Sequence, residues 1–234
     1  MKRFLSVVLA CALCCSLVVP AFAVSEMPDI AAERYLSVDV DVEIERALNG
    51  ETDVEINTTN FAEAALVRAD GTVENVEVYT TTRVLPMPLT MDVDGDVGCV
   101  YATTAVASLP ATDKTDISDK ELAGVTAVLT LYWTDVLGTA NNFRGLSGSW
   151  TVATDPATGK RASLSKRYVT VKGSGPTARD EGEIYRIYPS SNSFEIKDSE
   201  YEDGWWAYTG YSEVLLNSTD WLTLKVSSGQ IRVG

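Results

Sequence analysis

The chain has 234 residues, of which 45% are hydrophobic and 22% charged, the balance of a folded globular protein and not of a disordered or collagen-like one. It contains no histidine, which excludes Ser-His-Asp triads, Cys-His dyads and every histidine-ligated metal site. Its 33 acidic residues against 19 basic ones, a net charge of -14, argue against nucleic acid as a partner, because phosphate binding draws on clustered positive charge.

Met1-Lys2-Arg3 is a short positive start, Phe4 to Val19 carries no charge, and Pro20 precedes the small-residue site Ala21-Phe22-Ala23. This is the pattern of a cleaved secretory signal over residues 1–23. The competing reading, a membrane anchor, would need ~20 apolar residues. Val8-Leu9-Ala10-Cys11 has a lipoprotein-like form, but it would leave an unusually short apolar region. Cleavage would remove Cys11, Cys14 and Cys15 and leave Cys99, read as a small buried hydrophobe, with no partner for an intramolecular disulfide. An exported chain without disulfides points to a secreted, extracellular bacterial protein of Gram-positive type, with no membrane association after cleavage. The excess of acid lies mainly between Val24 and Gly98 and reads as solubility.

Residues 24–34 form a flexible lead-in, and 35–234 one or two β domains. In Leu36 to Glu45 aliphatic residues alternate with acids, the period of a half-buried strand. Asn49-Gly50 is then a turn, and Val54-Glu55-Ile56 resumes the alternation. Ala65-Leu66-Val67 is a strand running into a hairpin turn at Asp70-Gly71, although Asn60 and Glu63 have capping-box spacing. Val73 to Val84 reads as one long strand with an irregularity between Val73 and Val76. Pro86 and Pro88, with the acidic segment to Gly98, mark a weak internal boundary at 86–98. Ser118 and Glu121 suggest one helical turn before Gly124. Strands are expected over Val125–Trp133, Gly148–Thr154, Tyr168–Lys172, Glu183–Tyr188, Ser193–Lys197, Trp205–Tyr208 and Trp221–Val226. Many short strands at close spacing, with little helix beyond the signal, predict an all-β, antiparallel β-sandwich, immunoglobulin-like or jelly-roll-like.

Two constellations carry candidate chemistry. Asp92, Asp94 and Asp96 alternate around Gly95 and could direct oxygen ligands at Ca²⁺, although Val97 and Thr103 stand where an EF-hand loop needs Gly and Glu. Tyr201, Trp205, Trp206, Tyr208 and Tyr211 form an aromatic group beside Glu200, Glu202 and Asp203. Flat rings offer apolar area to a sugar face while carboxylates accept hydroxyl hydrogen bonds. In a strand Trp206 and Tyr208 share one face and Trp205 takes the other. Trp133, Trp150 and Trp221, on apolar strands, are assigned to the core.

Lys160-Arg161 and Lys166-Arg167 are the one local basic cluster, suited to soluble edge strands or to an acidic wall polymer. Ser163-Leu164-Ser165-Lys166 has Ser-x-x-Lys spacing but lies in a hairpin context, where serine and lysine do not share a helix face. The expectation is a secreted, non-catalytic binding module, with a glycan or cell-surface polymer as first ligand and Ca²⁺ as the one cofactor candidate. The alternatives are a carboxylate-dependent polysaccharide hydrolase, which needs two acids at ~5 to 9.5 Å, and a structural surface protein.

Overall fold

A computed structural model of the chain describes residues 38–54, 61–85, 100–109, 124–136, 140–155, 159–175, 182–197 and 206–229. Among these residues there is one helix, α1 (Val40–Leu48), and eleven strands. The strands are β1 (Ala62–Val67), β2 (Val73–Val76), β3 (Val78–Leu85), β4 (Val100–Leu109), β5 (Val125–Val136), β6 (Ala140–Val152), β7 (Leu164–Ser174), β8 (Gly182–Ile187), β9 (Ser193–Lys197), β10 (Ala207–Leu216) and β11 (Asp220–Ser227). They form a six-stranded sheet in the order β2-β1-β11-β10-β7-β8 and a five-stranded sheet in the order β3-β4-β5-β6-β9. Every pairing is antiparallel, and the two sheets pack together as a β-sandwich.

The core follows from strand periodicity. Alternate residues of β5 (Val125, Ala127, Leu129, Leu131, Trp133) share one core with alternate residues of β10 and β11 (Val214, Leu216, Leu222, Leu224, Val226), and Phe143, Leu146 and Trp150 of β6, the neighbour of β5, join it. Trp133 and Trp150 are interior, in line with the sequence reading. β3 and β4 pair along their length on either side of 86–98, so the chain before and after that segment belongs to one sheet.

The clearest departure from the sequence reading is α1. The alternation of Val38, Val40, Val42 and Ile44 suggests a strand, yet residues 40–48 are helical. Asp39 caps the helix, its Oδ1 accepting from the N–H groups of Asp41 (3.0 Å) and Val42 (3.4 Å), and acids in the first turn with Arg46 in the last suit the helix dipole. The end is equally specified. Gly50, at φ +68°, donates to the Ala47 carbonyl, and Glu51 donates to that of Arg46, which is a Schellman closure. Asn49-Gly50 therefore ends a helix and does not turn a hairpin. Ile44 and Ala47 pack on Tyr79, Val106 and Val128 of the five-stranded sheet, while Val40 and Val42 are left exposed. Beyond α1, Asp53 N–H donates to the Thr82 carbonyl and Thr82 N–H to Thr52 Oγ1, covering the free edge of β3.

Other elements are shifted for identifiable reasons. The expected strand from Val73 to Val84 is divided at Glu77, because β2 pairs with β1 in one sheet and β3 with β4 in the other. β4 escapes a period-2 reading because both its faces are covered: residues 102–107 are all buried, and uncharged Ala, Thr and Val side chains occupy both faces. Asp92 to Asp96, Cys99, residues 113–123 with the expected helical turn, and the amino-terminal segment to Ser37 lie outside the described residues.

The β1–β2 hairpin turns at Asp70-Gly71 as expected, with Gly71 at φ +85°. Arg68 clamps it, donating to both Glu74 oxygens at 3.0 Å and to Asp220 Oδ2 of β11 at 3.2 Å. The Asp70 carboxyl is held below its usual value chiefly by the Thr72 backbone N–H, and that of Glu74 by its hydrogen bonds from Arg68. Their stabilisation is therefore complete above the ordinary carboxylate range and is lost as pH falls through the lowered values. A pH titration of the Thr72 amide resonance is expected to move only in that acidic window.

Candidate functional site

The outer face of the six-stranded sheet carries the candidate site. Pairing register sets its rows: Val67, Trp221 and Leu215 lie in one, and Ala65, Thr223, Glu213 and Tyr168 in the next. Glu63, Lys225, Tyr211, Thr170 and Arg186 lie in a third. Because residues two apart share a face, all of these point away from the core.

Three aromatic rings gather at one end of this face. Trp221 and Tyr168 stack with ring centroids 5.3 Å apart and planes 27° from parallel, and Tyr188 meets Tyr168 edge-on at 5.4 Å. β10 lies between β7 and β11, so the stacked pair spans that strand, where Leu215 is buried although it faces outward. Trp221 and Tyr168 are partly exposed and Tyr188 is 65% exposed. Trp221 is thus corrected from core to surface: its neighbours Leu222 and Leu224 carry the inward face of β11, and Trp221 has the opposite parity.

Further along, Lys172 Nζ sits 5.1 Å from the centroid of the Tyr211 ring. Tyr211 also borders a depression of about 620 Å³ with Glu63, Asn75, Thr223 and Lys225 around it and small Ala62 and Ala65 in its lining. The depression exists because β2 pairs only with residues 64–67 of β1, leaving the start of β1 without a neighbour on that side in this sheet. Lys225 and Glu63, both in its lining, form an ion pair at 3.5 Å.

The described members of the aromatic group expected from the sequence lie apart. Tyr201 and Trp205 lie outside the described residues, as do Asp92, Asp94 and Asp96. Tyr208 is 1% exposed and packs on Phe143 at 5.8 Å, so it is a core residue and not a ligand contact; β10 turns even-numbered positions inward. Trp206 is 55% exposed just before β10, its N–H donating to Ser174 and its carbonyl accepting from Asn141 Nδ2 at 3.0 Å. It has the inward parity of β10 but precedes the strand, and so is not part of the outer face. Of the described members of the expected group, Tyr208, Trp206 and Tyr211, only Tyr211 joins the site. Tyr168, Tyr188 and Trp221 were missed because they are distant in sequence, on β7, after β8 and on β11, and only the strand order unites them.

In the basic cluster, Arg161 donates to the Val152 carbonyl and Arg167 to Asn192 Oδ1, while Lys166 is exposed. Ser163 and Lys166 flank the start of a strand, which removes the helical geometry a Ser-x-x-Lys dyad uses. Among the described residues no group of three acidic side chains is placed to hold a metal ion. No family model, curated protein or solved structure matches the chain.

Proposed function

We propose that the protein is a secreted, non-catalytic binding module that holds a polysaccharide against the outer face of its six-stranded sheet. The observation that carries this reading is the Trp221–Tyr168–Tyr188 group, a cluster of partly solvent-facing rings on a sheet face. Pyranose rings present apolar C–H faces that pack on aromatic rings, and their hydroxyls need polar neighbours. Glu213 and Thr223 lie in the row beside the rings, and Glu63, Asn75 and Lys225 around the adjoining depression. Export rests on the amino-terminal signal pattern, and the amino terminus of secreted protein is expected to be Val24.

Titration with soluble polysaccharides is the test. Binding is expected to quench tryptophan fluorescence and to weaken roughly tenfold in Trp221→Ala and in Tyr188→Ala, the range of an aromatic hot spot. Trp206→Ala is expected to bind as the parent does. Unchanged affinity in both outer-face variants would sink the reading. Release of reducing ends would replace it with a hydrolase, and an absence of glycan binding with a structural role.

A further inference from the structure

Lys166 and Lys172 flank Tyr168 of the aromatic group along β7. Lys166 sits where the pairing of β7 with β10 shifts register between Val214 and Leu215, and it adopts φ +44°, a left-handed conformation that a side chain with a Cβ disfavours. Glycine or asparagine would occupy this position at less cost. Bulges re-aim side chains, and Lys166 is exposed here, two residues from Tyr168. Lys172, four residues beyond Tyr168 on the same face, lies over Tyr211.

Neither lysine has a carboxylate within ion-pair distance among the described residues, in a chain with 33 acids. The other cations of this face are paired, Lys225 with Glu63 at 3.5 Å and Arg186 with Glu183 at 2.6 Å. Two cations with no ion pair among the described residues beside an aromatic platform, Glu183 opposite Lys172 being engaged by Arg186, and one of the two in a disfavoured backbone conformation, are complementary to an anionic ligand. We infer that the polysaccharide is acidic, with carboxylate-bearing sugars whose charges lie on Lys166 and Lys172 while the rings between them take the sugar faces. This rests on the function proposed above and adds the ligand's charge.

Calorimetric titration with polygalacturonate, alginate and hyaluronate, each alongside its methyl ester, separates charge from shape. The parent protein is expected to bind at least one acid polymer about tenfold more tightly than its ester. Lys166→Gly and Lys172→Gln are each expected to weaken binding of the acid form roughly fivefold, the scale of one exposed ion pair, and to leave binding of the ester unchanged. The glycine variant should melt at the same temperature as the parent or higher, because glycine is at ease at φ +44°, so its loss of affinity cannot be a loss of fold. Equal affinity for acid and ester, with both lysine variants neutral and Trp221→Ala still weakened, overturns the charge assignment and leaves the polysaccharide reading standing. Binding to none of the six polymers, or binding indifferent to Trp221→Ala, overturns both.

Discussion

Truncation of Trp133 to alanine is expected to cost about 3–5 kcal/mol, the range for a large aromatic removed from a packed interior. Trp133 has no exposed surface, and its ring lies 4.9 Å from that of Tyr101. Its Nε1 donates to Thr103 Oγ1 at 3.0 Å, and that hydroxyl also contacts Thr82 Oγ1 at 3.2 Å, so the indole is tied to β4 and, through it, to β3. The position is also irregular, because the pairing of β5 with β6 shifts register between Tyr132 and Trp133. The cavity left by alanine could not be filled by a sliding strand without breaking that pairing. Trp133→Phe keeps most of the volume and loses the hydrogen bond, so about 1–2 kcal/mol is expected. Urea denaturation gives both values, with a lowered midpoint and an unchanged slope. A loss below ~1 kcal/mol for the alanine variant would contradict a core centred on this residue. Neither change touches the outer face of the opposite sheet, so affinity for polysaccharide should persist wherever the variant is folded.

The sandwich was legible in the sequence because strands with one wet face advertise themselves. β11 reads Trp-Leu-Thr-Leu-Lys-Val, with Leu222, Leu224 and Val226 inward, and β9 is found at its expected bounds, Ser193–Lys197. Alternation failed in two opposite ways. β4, buried on both faces, shows little of it, whereas residues 36–45 show it plainly and are in large part helical. In the second case the capping groups carried the truer information. Asp39 at the start and Asn49-Gly50 at the end specify a helix with a Schellman closure, although Asn-Gly between alternating segments has the form of a hairpin turn. The candidate site was less legible still. Proximity along the chain grouped Tyr208 with Tyr211, which the pleat sends to opposite sides of the sheet. Trp221 and Tyr168 stand far apart in sequence and become neighbours only because β11, β10 and β7 are consecutive in the sheet.

Replacing Arg83 with alanine is expected to release α1 from the sandwich. Glu43 lies under the helix with no exposed surface, and its Oε1 accepts from Arg83 Nη1 at 2.8 Å. Its Oε2 has no hydrogen-bond partner among the described residues, so Arg83 is the main compensation this carboxylate has for leaving water. Removing one member of a buried pair costs about 3–5 kcal/mol; the lower end applies here, because the Arg83 side chain is 39% exposed and part of its charge already faces solvent. The apolar contacts holding α1 are modest, Ile44 and Ala47 against Tyr79, Val106 and Val128. The cheaper response to an orphaned Glu43 is therefore for the helix to lift and rehydrate the carboxylate, and not for the sandwich to unfold. Hydrogen exchange should show the amides of residues 43–49 losing protection in Arg83→Ala while those of β5 and β11 keep theirs. Glu43→Leu is expected to hold the helix as well as the parent or better, since an apolar side chain needs no partner there. The double variant Glu43→Leu with Arg83→Ala should accordingly recover the protection that Arg83→Ala loses. If the double variant stays as open as Arg83→Ala alone, the arginine holds α1 through its own packing on the sheet and not through the buried charge.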